Sequence, residues 1–258
     1  MSETTTALPE LTDILTLIAR HTRNEPLRHF LLRWENIIYA AFAALFIIVV
    51  FWIAGRKKAL IPQKLQNFAE LVIGSFDDFV AGILGEKGRK FTPFIGTLFL
   101  YILTMNLMGL IPFLKSPTSD WSTTLALALC VFVYVQYTAF REFGFLGFFD
   151  HLMGKPRGAM AFTLVFPVFF LCLHLISELV RPITLSLRLR SNIWGDDLLI
   201  AILSRFGLMG LPLILFSTFL ALIAAIVQAV VFCLLTTVYF ALIVQHEGDE
   251  KKEALHGL

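Results

Sequence analysis

Long apolar runs separated by short basic stretches account for most of this chain. The first run covers residues 37–54, with Trp34 and Trp52 near its ends as interfacial aromatics would be, and Arg56, Lys57 and Lys58 stop it. The next stretch, LIPQKLQNFAELVIGSFDDFVAGILG, places Leu, Phe and Val at helical spacing but also carries Gln63, Lys64, Glu70, Asp77 and Asp78. That pattern predicts a helix lying in the membrane interface. Pro93 then opens a second span over 94–114, which holds Asn106, a residue type that acts as interhelical glue more often than as a pathway group. The turn KSPTSDW leads to a third span over 122–140, where Thr123, Thr124 and Gln136 are few enough for ordinary packing. Asp120 belongs at the water boundary or at the cap of that helix. The connection REFGFLGFFDHLMGKPRG, basic at both ends, reads as an interfacial loop.

The last two segments, 161–203 and 208–244, are too long for perpendicular crossings of a core about 30 Å thick. Arg205, Gly207, Gly210 and Pro212 mark the turn between them, so they form a long, strongly tilted hairpin. The expected fold is an all-α integral membrane protein of about five membrane helices plus one interfacial amphipathic helix. Its parts are a polar N-terminal segment 1–36, a membrane domain 37–245 with the long hairpin at 161–244, and a tail 246–258.

Composition agrees: 57% of 258 residues are hydrophobic, 26 are Phe, and the mean hydropathy is +0.78. A net charge of +2, with Lys and Arg at segment ends rather than along one face, argues against nucleic-acid binding. Cys130, Cys172 and Cys233 lie in apolar runs and read as small buried hydrophobes without a disulfide framework. No cleavable signal is apparent, so the first run is expected to stay as an anchor. Lys and Arg concentrate in 56–90, 141–157 and the tail. Five crossings put all three regions on one side, cytoplasmic by the positive-inside rule, with the N-terminus outside.

Chemistry concentrates in LCLHLISELVRPITLSLRLRSNIWGDDLL, an apolar stretch that nevertheless carries His174, Glu178, Arg181, Arg188, Arg190, Asp196 and Asp197. A mid-membrane charge on a lone helix costs about 3 kcal/mol, so such groups face protein or water. On one helix, Asn192 falls a turn beyond Arg188 on nearly the same face, and Arg190 and Asp197 lie about 180° to 200° away. Arg188 cannot lose its proton, whereas Asp196, Asp197, Glu178 and His174 can exchange theirs. A fixed cation flanked by titratable groups is what a proton path needs; structural ion pairing is the alternative, with Arg181 beside Glu178 its clearest instance. On the second arm Ser217, Gln228 and Tyr239 recur every eleven residues and form one polar stripe, expected to face a partner or water. No phosphate-binding loop, zinc-protease or nucleophile-elbow motif occurs, no two histidines sit at metal-ligand spacing, and nothing calls for a cofactor. Autonomous catalysis is not expected.

The phrase RPITLSLRLRSNIWGDDLL, together with KKALIPQKLQNFAELV, KGRKFTPFIGTLFLYILTMNLMGLIP and IVQAVVFCLLTTVYFAL, resembles subunit a of the F-type ATP synthase membrane sector over about residues 56–245. The resemblance implies a non-catalytic, proton-translocating stator in a bacterial cytoplasmic membrane. Its partners would be a ring of small proteolipid c subunits and b-type peripheral stalk subunits. By that resemblance Arg188 matches the arginine facing the ring, Asn192 the polar residue one turn on, Asp197 the acid of the outer half-channel, and Gln228 the glutamine on the last helix. His174 matches a position of proton exchange. Departures are Arg190 and Ser191 where Phe with Gly or Ala is common, Asp196 where a small residue is common, and Ala221 where some relatives carry a titratable group. Arg190 is therefore expected to act with Asp196 and Asp197 as a unit, and Ser217 and Tyr239 to tune the path. Two rival readings remain: a self-contained secondary transporter or channel, although no internal repeat is visible, and a membrane hydrolase using Ser177 or Ser186 with His174, which lacks a motif.

Overall fold

The computed structural model describes residues 13–21, 25–56, 64–111, 114–152 and 162–256. Among the described residues seven helices follow one another: α1 (Ile14–His21), α2 (Glu25–Gly55), α3 (Lys64–Leu84), α4 (Thr92–Met108), α5 (Trp121–Leu152), α6 (Phe162–Leu203) and α7 (Leu211–His256). Short 3-10 turns at Glu86–Phe91, Pro117–Ser119 and Ser204–Gly210 connect them, and no strand occurs among the described residues. The chain is an all-α, multi-pass membrane protein.

Contacts at the helix ends define the two ends of the bundle. At the first end, Lys115 pairs with Glu35 at 3.7 Å, Asn36 on α2 donates to the Asp120 carboxylate, and Arg190 on α6 donates to the Ser119 carbonyl at 3.4 Å. At the second end, Lys90 pairs with Glu142, and Phe91, Phe94, Tyr134 and Phe240 form one aromatic cluster. Helices α2, α4, α5, α6 and α7 run between the ends. Helix α3 stays at the second end, where Asp77 accepts from Arg89 at 2.5 Å and from Thr92 at 2.9 Å. It leaves the large apolar residues Phe68, Leu71 and Ile73 exposed.

Between membrane helices the lipid tails are as apolar as any leucine, so association depends on close packing and interhelical hydrogen bonds. Ala221, Ala225 and Ala229 form a buried small-residue seam on α7. Against it lies α4, antiparallel, with Asn106 donating to the Ala225 carbonyl at 3.5 Å and the Cys233 thiol meeting the Ile95 carbonyl at 3.7 Å. Asn106 is only 1% exposed and also accepts from Thr118 at 2.8 Å, so it is glue between helices and loop.

Three local readings change. The segment expected as a loop after residue 140 continues as helix to Leu152, broken at Gly144, whose φ of 67° suits glycine. Asp120 precedes α5 at the cap position, but its carboxylate is taken by Asn36, and its backbone carbonyl receives the Thr124 amide at 3.3 Å. Cys233 is buried, but Cys130 and Cys172 lie on the bundle exterior, where lipid makes a small apolar side chain equally suitable. The hairpin turn forms at Ser204–Gly210, with Gly207 at φ 58°. At Gly210 a side chain would begin 2.5 Å from the Leu203 carbonyl oxygen. With 42 and 46 residues, α6 and α7 are about 65 Å long, twice a membrane core, so the arms tilt or run beyond it.

Candidate functional site

Helix α6 has two faces of different chemistry. Pro182, Leu185, Ser186, Leu189 and Ile193 turn inward at helical spacing. Ile176, Val180, Ile183, Leu187 and Trp194 turn outward with Thr184, Arg188 and Ser191, and α7 continues that outer surface through Phe216, Phe219, Ile223, Val227 and Val230. Arg188 is thus the charged group on a largely apolar outward face. No acid among the described residues forms an ion pair with it, in contrast to Arg181, which holds Glu178 at 2.7 Å.

One turn beyond Arg188, Asn192 donates from Nδ2 to Oε1 of Gln228 on α7 at 2.9 Å. Gln228 is 3% exposed, and its own Nε2 has no hydrogen-bond partner. A buried unsatisfied amide costs about 1–3 kcal/mol.

Two cavities flank this height of the bundle. Toward the first end, a small pocket is lined by Asp196, Asp197, Asn106, Gly109 and Ala221, among others. Toward the second end, another small pocket is lined by Glu178, Arg181, Tyr239, Pro182 and neighbouring apolar residues. Along α6, Arg188 lies between them, about 15 Å of helical rise from Glu178 and about 13 Å from Asp197.

The second-end cavity is firmly braced. Gln136 on α5 donates to Glu178 at 2.6 Å, and the Arg181 guanidinium sits 5.0 Å from the centre of the Tyr239 ring. Gln136, whose sequence context suggests ordinary packing, reaches an acid on the next helix, a contact that gives no signal in the sequence. Lys115, between the acids of the first end, was missed for the same reason.

Placement of the expected residues is mixed. The structure brings Asn192 to Gln228, Glu178 to Arg181 and Tyr239, and Asp196 beside Asp197 at one cavity. It does not join Arg190 to the aspartates: Arg190 donates to Ser119 and lies 5.4 Å from the Trp121 ring centre, and no ion pair links it to Asp196 or Asp197. The polar stripe of α7 faces inward rather than toward a partner, since Ser217 is buried, Gln228 is bonded to α6, and Tyr239 is half-buried against Arg181. The reason is the seam of alanines, which turns that side of α7 into the bundle. The His174 side chain lies outside the described residues. No cluster of metal-binding side chains occurs among the described residues.

Residues 37–241 match the family model described as ATP synthase A chain. The chain is 40% identical to the ATP synthase subunit a of Protochlamydia amoebophila over 94% of its length and 92% of that relative. It is 40% identical to the ATP synthase subunit a of Solidesulfovibrio magneticus over 80% of its length and 82% of the relative. For the subunit a of a Sulfurihydrogenibium species the identity is 39% over 82% and 98%.

Proposed function

The chain belongs to the ATP synthase subunit a family, a membrane-sector subunit, and from that premise we propose that it is the stator that conducts protons past a rotating ring of small proteolipid subunits. The reading is supported above all by Arg188, a cation on the exposed face of α6 with no ion-pair partner among the described residues, at a height between two small pockets that each carry acids. A bare guanidinium facing lipid is costly, whereas a carboxylate carried past it by a partner would satisfy it.

The chemistry follows from charge. As a protonated ring carboxylic acid approaches Arg188, the fixed cation favours its ionised form and the proton leaves. Because Arg188 cannot itself accept or pass a proton, no direct route joins the two cavities, and the proton must travel with the ring. Asp196 and Asp197 would exchange protons at the first-end cavity, and Glu178 at the second, with Tyr239 beside it. Asn192 and Gln228 would hold the α6–α7 register at the coupling height. A membrane potential supplies about 2.3 kcal/mol per charge per 100 mV, which drives the cycle. The first end faces the outside and the second end the cytoplasm of a bacterial inner membrane, by the distribution of Lys and Arg. The subunit carries no catalytic centre of its own, and b-type stalk subunits would hold it against the ring.

The test is cysteine cross-linking. Ser191→Cys, on the outward face, should cross-link to a small proteolipid in native membranes, while Ala128→Cys, buried at 1% exposure, should not. Isolation of the chain as a stable, transport-active protein without any proteolipid ring would favour the self-contained transporter instead.

A further inference from the structure

The Glu178 carboxylate has a different donor on each oxygen. Its Oε1 meets Nη1 of Arg181, one turn along α6, at 2.7 Å, and its Oε2 accepts from Nε2 of Gln136 on α5 at 2.6 Å. The two donors differ in what they can do next. A guanidinium has only N–H groups and never offers a lone pair, whereas a primary amide carries two N–H groups and a carbonyl oxygen that accepts. Arg181 is further fixed by Tyr239 on α7, since its guanidinium lies over that ring, 5.0 Å from the centre.

The pocket beside this pair has an apolar wall on α5, formed by Ala128, Val131, Phe132 and Val135. Gln136 follows Val135 in sequence and is the α5 residue whose side chain reaches the acid. It is half-buried, and the Glu178 side chain is only 16% exposed. In such a place a protonated carboxyl needs an acceptor for its O–H as much as a carboxylate needs donors, because a buried polar group without a partner costs about 1–3 kcal/mol.

We propose that Gln136 is a positioning residue that serves both protonation states of Glu178 and makes Oε2 the oxygen that takes the proton. The proposal rests on the reading of Glu178 as the proton-exchange group of the second end. With Glu178 ionised, Gln136 donates to Oε2. When a proton arrives from the ring, an O–H bond forms at Oε2, the amide turns about its last bond, and its carbonyl oxygen accepts from the new hydroxyl. Oε1, then the carbonyl oxygen of the acid, keeps its bond from Arg181. On release the O–H bond breaks, the proton passes to cytoplasmic water, and the amide turns back; pumping runs the same steps in reverse. Gln136 and Arg181 neither gain nor lose a proton. Protonation at Oε1 would instead set an O–H against a guanidinium that has nothing to accept it. Gln136 thereby does more than hold α5 to α6, the usual part of a membrane glutamine.

The test uses the whole complex in inverted vesicles, with ATP-driven proton pumping measured at about pH 8, where an ordinary imidazole is neutral, and assembly followed by co-purification of the proteolipid ring. Gln136→Leu, which neither donates nor accepts, should lower pumping about tenfold, below the range of a full acid–base group because Gln136 acts through one. Gln136→His, a neutral ring with one donor and one acceptor, should recover most of the rate. In a Glu178→Gln background, Gln136→Leu should cost nothing further, whereas a loss of helix packing would multiply with the loss of the acid. Wild-type pumping in Gln136→Leu would overturn the proposal, as would Gln136→His pumping no better than Gln136→Leu, or a further tenfold loss in the double variant. If Gln136→Leu does not assemble, Gln136→His decides: near wild-type pumping supports the proposal, and a tenfold loss or failed assembly overturns it. Wild-type pumping in Glu178→Gln alone would contradict the reading of that acid, and the proposal with it.

Discussion

Asn192 on α6 and Gln228 on α7 meet through one hydrogen bond of 2.9 Å, a single turn from Arg188, and so tie the two long arms together at the height of that cation. Bonds between polar side chains in membrane helices contribute about 0.6 kcal/mol on average, too little to hold two such long helices. Packing along the alanine seam holds the arms; the hydrogen bond sets their register. Gln228→Leu should therefore leave assembly of the complex intact while lowering coupled proton pumping several-fold, measured as ATP-driven acidification of inverted vesicles.

Arg190 is a brace between α6 and the turn before α5. Arg190→Phe removes its bond to Ser119 but keeps an aromatic neighbour for Trp121, so a loss of about 1–2 kcal/mol in stability is expected, a hydrogen bond from a charged donor. The pH dependence of transport should not move. Thermal denaturation of the purified complex together with a pumping profile checks both halves; a displaced profile would revive a functional unit of Arg190 with the aspartates.

The cavity at the second end depends on Glu178 being held by Gln136 and Arg181. Glu178→Gln keeps the hydrogen bonds available but removes the charge that pairs Arg181 and the proton exchange assigned to the acid. Proton release on the cytoplasmic side should slow by about tenfold or more, within the range of one acid–base group. Passive flux through vesicles stripped of the catalytic sector reads this step directly.

Asp13 gives the docking of α1 a pH dependence of definite sign. Its carboxyl is raised above the ordinary value of 3.8 to about 7 by burial and Glu35, so the folded form favours the protonated acid. The resulting stabilisation is complete below about 4 and is lost as pH rises through about 7. Hydrogen-exchange protection factors of the α1 amides should fall across that window in the wild type and stay level in Asp13→Asn.

Gly210 and Gly207 shape the hairpin turn. Gly210→Ala would place a methyl 2.5 Å from the Leu203 carbonyl oxygen, and Gly207 sits at φ 58°, where other residues are strained by about 1 kcal/mol or more. Either substitution should reduce the amount of assembled complex in membranes, with Gly210→Ala the more severe.

Much of this architecture is legible in the sequence because membrane helices announce themselves by length and apolarity. The two long arms, their glycine-marked turn and the interfacial α3 follow from local pattern alone. Helical periodicity also puts Arg188 and Asn192 on one face and Asp197 on another. What local pattern does not carry is orientation about each helix axis. The stripe of Ser217, Gln228 and Tyr239 was expected to face outward, but the alanines on the same side of α7 decide the matter and turn it inward. Contacts between distant segments were equally hidden: nothing near Gln136 points to Glu178, and nothing near Asp13 points to Glu35, Lys115 or Asp197. Arg190 is the converse case: it is close in sequence to Asp196 and Asp197, but its contacts are with Ser119 and Trp121.

The most direct test of the stator account is ATP-driven and passive proton flux in inverted vesicles carrying Arg188→Ala, with assembly checked by co-purification of the proteolipid ring. The account predicts that pumping vanishes while the complex still assembles, because the fixed charge that discharges the passing carboxylic acid is gone. Normal pumping in the assembled variant would contradict it and return the charged stretch of α6 to a purely structural role.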